Sequence, residues 1–286
     1  MGSEGTRWIR RSSRAPRVLD SISGWLEGPK HVKLRYAGMT HVGMKRAHNE
    51  DNLALIPEES LYIVADGMGG HASGEVASQM AVETIMNFFR MTTRDEDVTW
   101  PYKEEPGLRY DENRLITAIK FGNQRIYEAA LREGRFKGMG TTIVAAFFTK
   151  GGAYLGHVGD SRAYRIRKGT IEQLTSDHSL LNDYIRANRL TKDEIQNFPH
   201  KNVIVRALGM KDDVEVDIAR VEPEVGDIFL LCSDGLSSMV DDEHILRIVS
   251  RESELERASK SLVDAANDAG GSDNVTVALV RFVGED

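Results

Sequence analysis

The chain carries a single cysteine, Cys232, among 286 residues. It therefore forms no internal disulfide, which fits a reducing compartment, and the expected location is the cytoplasm. No apolar run approaches the roughly 20 residues that cross a bilayer. No apolar core of about 7–15 residues near the start marks a secretory signal. Positive charge is not in excess. The 37 Lys and Arg stand against 44 Asp and Glu, and a net charge of -7 argues against nucleic acid as a partner. Neither the lone cysteine nor a paired-histidine motif offers a soft metal site, and no Asp-x-Asp-x-Asp-Gly calcium loop is present. What is present is an ordinary globular composition, 41% hydrophobic and 28% charged, long enough for one substantial core.

The most informative stretch is Leu61-Tyr-Ile-Val-Ala-Asp-Gly-Met-Gly-Gly-His71. Residues 61–65 read as a short buried strand ending on a carboxylate, Asp66, before a glycine-rich turn. A charged group there is costly without a partner or a metal. Gly67 lets the backbone turn and bring a carbonyl close to whatever Asp66 holds.

The other segments can be taken in order. Residues 1–30 are basic, with Arg7, Arg10, Arg11, Arg14 and Arg17 among serines, and are expected as a flexible leader. Residues 31–286 are expected as a single domain. Residues 33–43 are strand-like, and 52–56 with 61–65 read as a hairpin. A helix starts near Ser73, carrying Val76, Met80, Ile85, Phe88 and Phe89 at helical spacing. The acidic stretch 91–112 reads as a solvated loop. A second helix then spans about 113–132, with Leu115, Ile119, Ile126 and Leu131 on its apolar face. Residues 142–148, 152–158 and 161–167 read as a three-strand meander. Strands at 214–221, 227–232 and 274–282 follow, with helices near 241–250 and 254–268. This order is neither βαβ alternation nor a repeat array. Mostly antiparallel sheets, packed on each other and covered by helices, fit it best.

Four aspartates occupy equivalent places. Asp66, Asp160 and Asp234 each follow a strand, and Asp273 stands just before the last one. In antiparallel sheets the exit of one strand lies beside the entrance of its neighbour, so these four can converge on one edge. Glu50 and Asp51 precede a strand start and can join them. Grouped carboxylates repel unless they share protons or bind cations. An all-oxygen ligand set suits Mg²⁺ or Mn²⁺ rather than zinc or copper. Taken singly, each aspartate is more often a turn former or a helix cap. Recurrence is what points to a metal centre.

Seven motifs carry a resemblance. They are Arg46-Ala-His-Asn-Glu-Asp51, Ala65-Asp-Gly-Met-Gly-Gly-His71-Ala-Ser-Gly-Glu75, Gly138-Met-Gly-Thr-Thr142, Gly156-His-Val-Gly-Asp-Ser-Arg162, Leu174-Thr-Ser-Asp-His-Ser179, Cys232-Ser-Asp-Gly-Leu236 and Gly271-Ser-Asp-Asn-Val-Thr276. In this order they resemble the metal-dependent protein phosphatases of the protein phosphatase 2C (PPM) family, in its compact bacterial form. The resemblance covers about residues 35–282.

It implies an α+β fold, a four-layer α/β/β/α sandwich of two mostly antiparallel sheets flanked by helix pairs. It implies two Mg²⁺ or Mn²⁺ ions at one end, with a weaker third. Asp66 is similar to the carboxylate bridging both metals, and Gly67 to the residue giving one of them a carbonyl. Asp234 and Asp273 match direct ligands, Glu50 and Asp51 match residues holding metal-bound waters, and Asp160 matches the third-metal position. Arg46 is similar to the phosphate-binding arginine, whose planar fork suits a phosphate. The implied mechanism is in-line attack by a metal-bridging hydroxide on phosphoserine or phosphothreonine. His71 is a candidate proton donor to the leaving oxygen, with a helix-capping or supporting role as the alternative; His48 and His178 are weaker candidates. Cys232 has no Cys-x5-Arg phosphate loop around it and is expected in the core. Family members often have an acidic residue four positions after the Asp234 equivalent. Here it is Ser238, which bears on the third site and not on the two-metal pair. Residues 177–209 correspond to the family's variable flap beside the site.

The implied partners are phosphorylated proteins, including a cognate serine/threonine kinase and its targets, met by a monomer. Two other readings share the fold. A catalytically silent binding module should lose metal ligands, yet Asp66, Asp234 and Asp273 are all intact. A regulatory phosphatase for an anti-sigma-factor antagonist differs only in substrate.

Overall fold

The computed structural model describes residues 20–27, 32–69, 73–94, 100–187, 194, 198 and 203–285, of which 20–27 by backbone alone. Two antiparallel sheets form its centre. In one, β1 (Asp20–Glu27), β2 (Val32–His41), β12 (Val275–Glu285), β11 (Ile228–Cys232), β8 (Arg162–Arg167) and β9 (Thr170–Gln173) lie side by side in that order. In the other the order is β10 (Asp217–Val221), β7 (Gly152–Val158), β6 (Ile143–Thr149), β4 (Leu61–Met68) and β3 (Asp51–Ile56), and the short β5 (Gly140–Thr141) pairs with β4.

The unbroken apolar runs are explained by burial on both strand faces, since side chains alternate along a strand. In β4, Leu61, Ile63 and Ala65 face a helix layer, while Tyr62 and Val64 face the opposite sheet. In β11, Leu230 and Cys232 face the other helix layer, and Phe229 and Leu231 face between the sheets. Full burial of a side chain such as Leu61 or Phe229 contributes about 1.5–3 kcal/mol. Helices α1 (Ser73–Arg94) and α2 (Tyr110–Arg132) cover the β4 sheet. After the shorter α3 (Leu180–Arg186) and the single turn α4 (Asp234–Ser237), helices α5 (Asp242–Arg251) and α6 (Leu255–Asp268) cover the β11 sheet. The result is the expected α/β/β/α sandwich, with one core between the sheets and one under each helix pair.

Several details differ from the sequence reading. Residues 20–27, expected in the leader, form β1 along the edge of β2, from Asp20 opposite Thr40 to Glu27 opposite Lys33. Main-chain pairing at an open edge needs no apolar pattern, so the composition hid it. The expected meander is split. β6 and β7 pair in one sheet, whereas the chain crosses at residues 159–161 and β8 joins the other. The fully buried face of α1 runs through Ala77, Ala81, Ile85 and Phe89, Val76 and Met80 pack half-buried against the same core, and Ala81 lies against Gly122 of α2. Helix α1 itself continues to Arg94, and α2 starts at Tyr110, where the Glu112 carboxylate accepts from the Arg109 N–H at 2.7 Å. Leu131 near the end of α2 is 70% exposed and so lies off the helix's buried face.

Candidate metal centre

Both sheets end at the same place, and both ends are acidic. Asp51 opens β3 and lies opposite Asp66 of β4. Asp160 follows β7, Asp234 follows β11, and Asp273 precedes β12. The convergence is of two sheet ends rather than one edge, with the crossing at residues 159–161 supplying Asp160. Mutual repulsion marks the cluster. Burial holds the Asp66 carboxyl well above the usual carboxylate range, and Asp51, Asp234, Asp160 and Asp273 push it further up. Asp51 is pushed up to about 7, mainly by burial, against the hydrogen bonds from Thr276 and Ser233. Asp160 is likewise pushed up to about 7 by burial, then by Asp234 and Asp177. Asp234 is raised by burial and by Asp273, and Glu50 by burial against the opposing charge of Arg46.

Each member is held by its neighbours. The Asp66 N–H donates to Thr142 Oγ1 at 3.0 Å, and its carbonyl accepts from the Thr142 N–H at 2.8 Å and Thr141 Oγ1 at 2.9 Å. Asp51 Oδ2 accepts from Ser233 Oγ at 2.8 Å and Thr276 Oγ1 at 2.6 Å. Asn274 gathers the loop before β3. It accepts from the Glu50 N–H at 2.7 Å and donates to the Val42 and His48 carbonyls, each at 2.9 Å. Gly67 is fixed by crowding: a Cβ there would meet the Gly74 and Glu50 carbonyl oxygens at 2.2 and 2.5 Å. At Gly235 a Cβ would meet the Asn274 carbonyl oxygen at 1.9 Å, so glycine is what lets Asp234 lie beside Asp273. At the mouth, Arg46 Nη2 donates to Asp273 Oδ2 at 2.7 Å, with the arginine side chain 53% exposed.

Two observations bear on whether cations fit. Every acidic side chain in the cluster offers oxygen, which hard divalent ions prefer. Asp51 Oδ1 and Asp160 Oδ1 are buried and receive no hydrogen bond. Such orphaned oxygens are rare in folded proteins, and a cation or its water would supply the missing partner. The residues present therefore fit Mg²⁺ or Mn²⁺.

The profile of the protein phosphatase 2C family matches residues 38–270, a span that takes in Arg46, Glu50, Asp51, Asp66, Asp160 and Asp234. The chain belongs to this family. As a protein phosphatase 2C it is 39% identical over 249 residues to a serine/threonine phosphatase of Listeria welshimeri, covering 85% of this chain and 93% of that protein. The solved serine/threonine phosphatase PstP/Ppp of Mycobacterium tuberculosis superposes with a TM-score of 0.76 at 36% identity, covering 87% of this chain and 99% of that one. The catalytic domain of PstP in complex with 2 manganese ions superposes at 0.71 and 35% identity, covering 87% and 98%.

Not every expected residue of this phosphatase joins the cluster. His71 lies outside the described residues. His178 is 2% exposed and both ring nitrogens face partners, which leaves no free edge for proton donation to a substrate. Ser238 donates its hydroxyl to the Asp234 carbonyl at 2.6 Å and so closes α4. Cys232 is buried in β11, and burial pushes its thiol up to about 12, so it remains a core thiol. Thr142, Ser233 and Thr276 went unassigned in the sequence reading. Each sits in one of the quoted motifs, but only Ser233 adjoins an aspartate in sequence, so the local pattern does not mark these hydroxyls as supports.

Proposed function

We propose that this protein phosphatase 2C hydrolyses phosphoserine and phosphothreonine in proteins, using Mg²⁺ or Mn²⁺ held by the carboxylates at the sheet ends. The observation that carries this reading is the convergence of Asp51, Asp66, Asp160, Asp234 and Asp273, with two of their oxygens buried and unpartnered. Asp66, Asp234 and Asp273 would hold the ions directly, with the Gly67 carbonyl as a further oxygen donor. Glu50 and Asp51 would support the ions from the surrounding layer, and Asp160 would hold a weaker third ion. When bound, such ions lower the pKa of a water and neutralise charge on the phosphoryl oxygens.

The chain's own groups do the rest. Arg46 projects at the mouth, pinned by Asp273, and offers a phosphate two parallel N–H groups. Asp51 is fixed from the opposite sheet, so the ligand set is preorganised and little rearrangement accompanies the reaction. Among the described residues no helix is long and apolar enough to cross a membrane. A cytoplasmic monomer acting on a serine/threonine kinase and its targets is the setting this chemistry suits. The test is release of phosphate from a phosphothreonine peptide with Mn²⁺ and with EDTA. Hydrolysis that needs Mn²⁺ supports the reading, and equal rates in EDTA would reject it.

A further inference from the structure

Away from the acidic cluster, His157, His178 and Asp217 bring ligand-type atoms within 4.8 Å of one another. They are not built for a cation. The Gly159 N–H donates to His178 Nδ1 at 3.0 Å, so the ring proton sits on Nε2, which lies 3.2 Å from Asp217 Oδ2. Arg206 Nη1 donates to Asp217 Oδ1 at 2.6 Å and already supplies the positive charge there. His157 stacks on His178 with ring centres 4.6 Å apart and lies within 3.1 Å of the Ser176 carbonyl.

The connections of these residues suggest a different role. His178 begins the limb leading into α3, and Arg206 stands on the return limb at 203–209. The limbs pair with each other: Leu180 N–H donates to the Val203 carbonyl at 2.8 Å and Val205 N–H to the His178 carbonyl at 2.9 Å. The Asp217 carboxylate accepts from both limbs at once. His178 meanwhile grips Gly159 from two sides, since its own N–H donates to the Gly159 carbonyl at 2.8 Å. The next residue is Asp160, with its orphaned buried oxygen. Further along the return limb, Leu208 bridges Thr141 in backbone pairing, next to the Thr142 that holds Asp66. One carboxylate thus ties two limbs to the crossing that carries Asp160.

We propose that Asp217 and His178 are positioning residues for phosphoprotein substrates, locking both limbs to the Gly159–Asp160 crossing. The proposal rests on the phosphatase reading. A protein substrate extends beyond its phosphoryl group and meets the limbs, whereas a small aryl phosphate reaches only the carboxylates and Arg46. Loss of the lock therefore separates the two substrate classes.

The experiment compares wild type, Asp217→Ala, Asp217→Asn and His178→Asn on a phosphothreonine peptide and on p-nitrophenyl phosphate at saturating Mn²⁺, with amide exchange followed at residues 159–162 and 203–208. Asp217→Ala should raise KM for the peptide about tenfold, the scale of one charge-assisted hydrogen bond, while kcat for p-nitrophenyl phosphate stays within about twofold. Amide exchange at both segments should quicken. Asp217→Asn keeps an acceptor oxygen and should recover most of the loss. His178→Asn keeps an oxygen for the Gly159 N–H and should fall between, which preserves the test if Asp217→Ala fails to fold. Unchanged peptide KM in the folded variants would overturn the lock, as would a parallel fall of kcat on both substrates. A wild type inactive on both substrates would overturn the phosphatase reading and the lock with it.

Discussion

Asp51 lies opposite Asp66 in the β3–β4 register, yet its carboxylate is held from the other sheet, by Ser233 at 2.8 Å and Thr276 at 2.6 Å. The same contact closes the sandwich and orients the centre. Thr276 in turn lies 2.7 Å from Thr40, which accepts from Asn49 Nδ2 at 2.8 Å, so the hydroxyls form a chain directed at Asp51.

Removing one donor from that chain should weaken fold and metal binding together. Thr276→Val keeps the shape and leaves Asp51 Oδ2 one partner short, at a cost of about 1–3 kcal/mol. Urea unfolding should show that loss, and calorimetric titration should show weaker Mn²⁺ binding. A variant as stable and as tight as wild type would contradict the role given to Thr276.

The raised carboxyls fix the sign of a pH effect. Asp51 and Asp160 move from an ordinary value of 3.8 to about 7 in the fold. Between about pH 4 and 7 the folded protein then holds more protons than the unfolded chain, so stability falls as pH rises. Without divalent ions, melting should occur at a higher temperature at pH 5.5 than at pH 8. With saturating Mn²⁺ the order should reverse, because ligation requires the ionised forms. Thermal melts at the two pH values, in EDTA and in Mn²⁺, check both halves.

Arg46 tests substrate binding apart from folding. Its ion pair with Asp273 is largely exposed, and pairs of that kind contribute about 0–1 kcal/mol to stability. Arg46→Ala should leave the melting temperature nearly unchanged and lower kcat/KM for a phosphopeptide by roughly 10- to 100-fold, the worth of a charge-assisted contact. Arg46→Lys should recover only part, since an ammonium cannot give the two parallel bonds. Full activity in Arg46→Ala would remove it from the site.

Gly67→Ala tests crowding rather than chemistry. The added methyl would press on two carbonyl oxygens at 2.2 and 2.5 Å, both backbone and unable to step aside cheaply. A loss of at least about 3 kcal/mol in urea unfolding is expected. A loss under about 1 kcal/mol would show that the β4 end is looser than described.

The aspartates were legible in the sequence because a carboxylate ending a buried apolar run stands out from its neighbours. The two-sheet layering was legible because runs such as 61–65 and 228–232 have no polar face. Their supporting hydroxyls were not legible. Ser233 and Thr276 lie 182 and 225 residues from Asp51, and such pairings exist only after the sheets stack. The same reason hid the crossing at 159–161, since local pattern cannot tell a meander from a change of sheet. It also hid β1, where the backbone alone makes the pairing. Asp217 looked like an ordinary strand residue until both limbs met it.

The most direct measurement is hydrolysis of a phosphothreonine peptide by wild type, Asp66→Ala and Asp234→Ala across a Mn²⁺ titration. Wild type should hydrolyse the peptide only when Mn²⁺ is added, and each variant should lose activity at every Mn²⁺ concentration while remaining folded. Metal-dependent activity surviving in both variants would contradict the placement of the centre at the joined sheet ends.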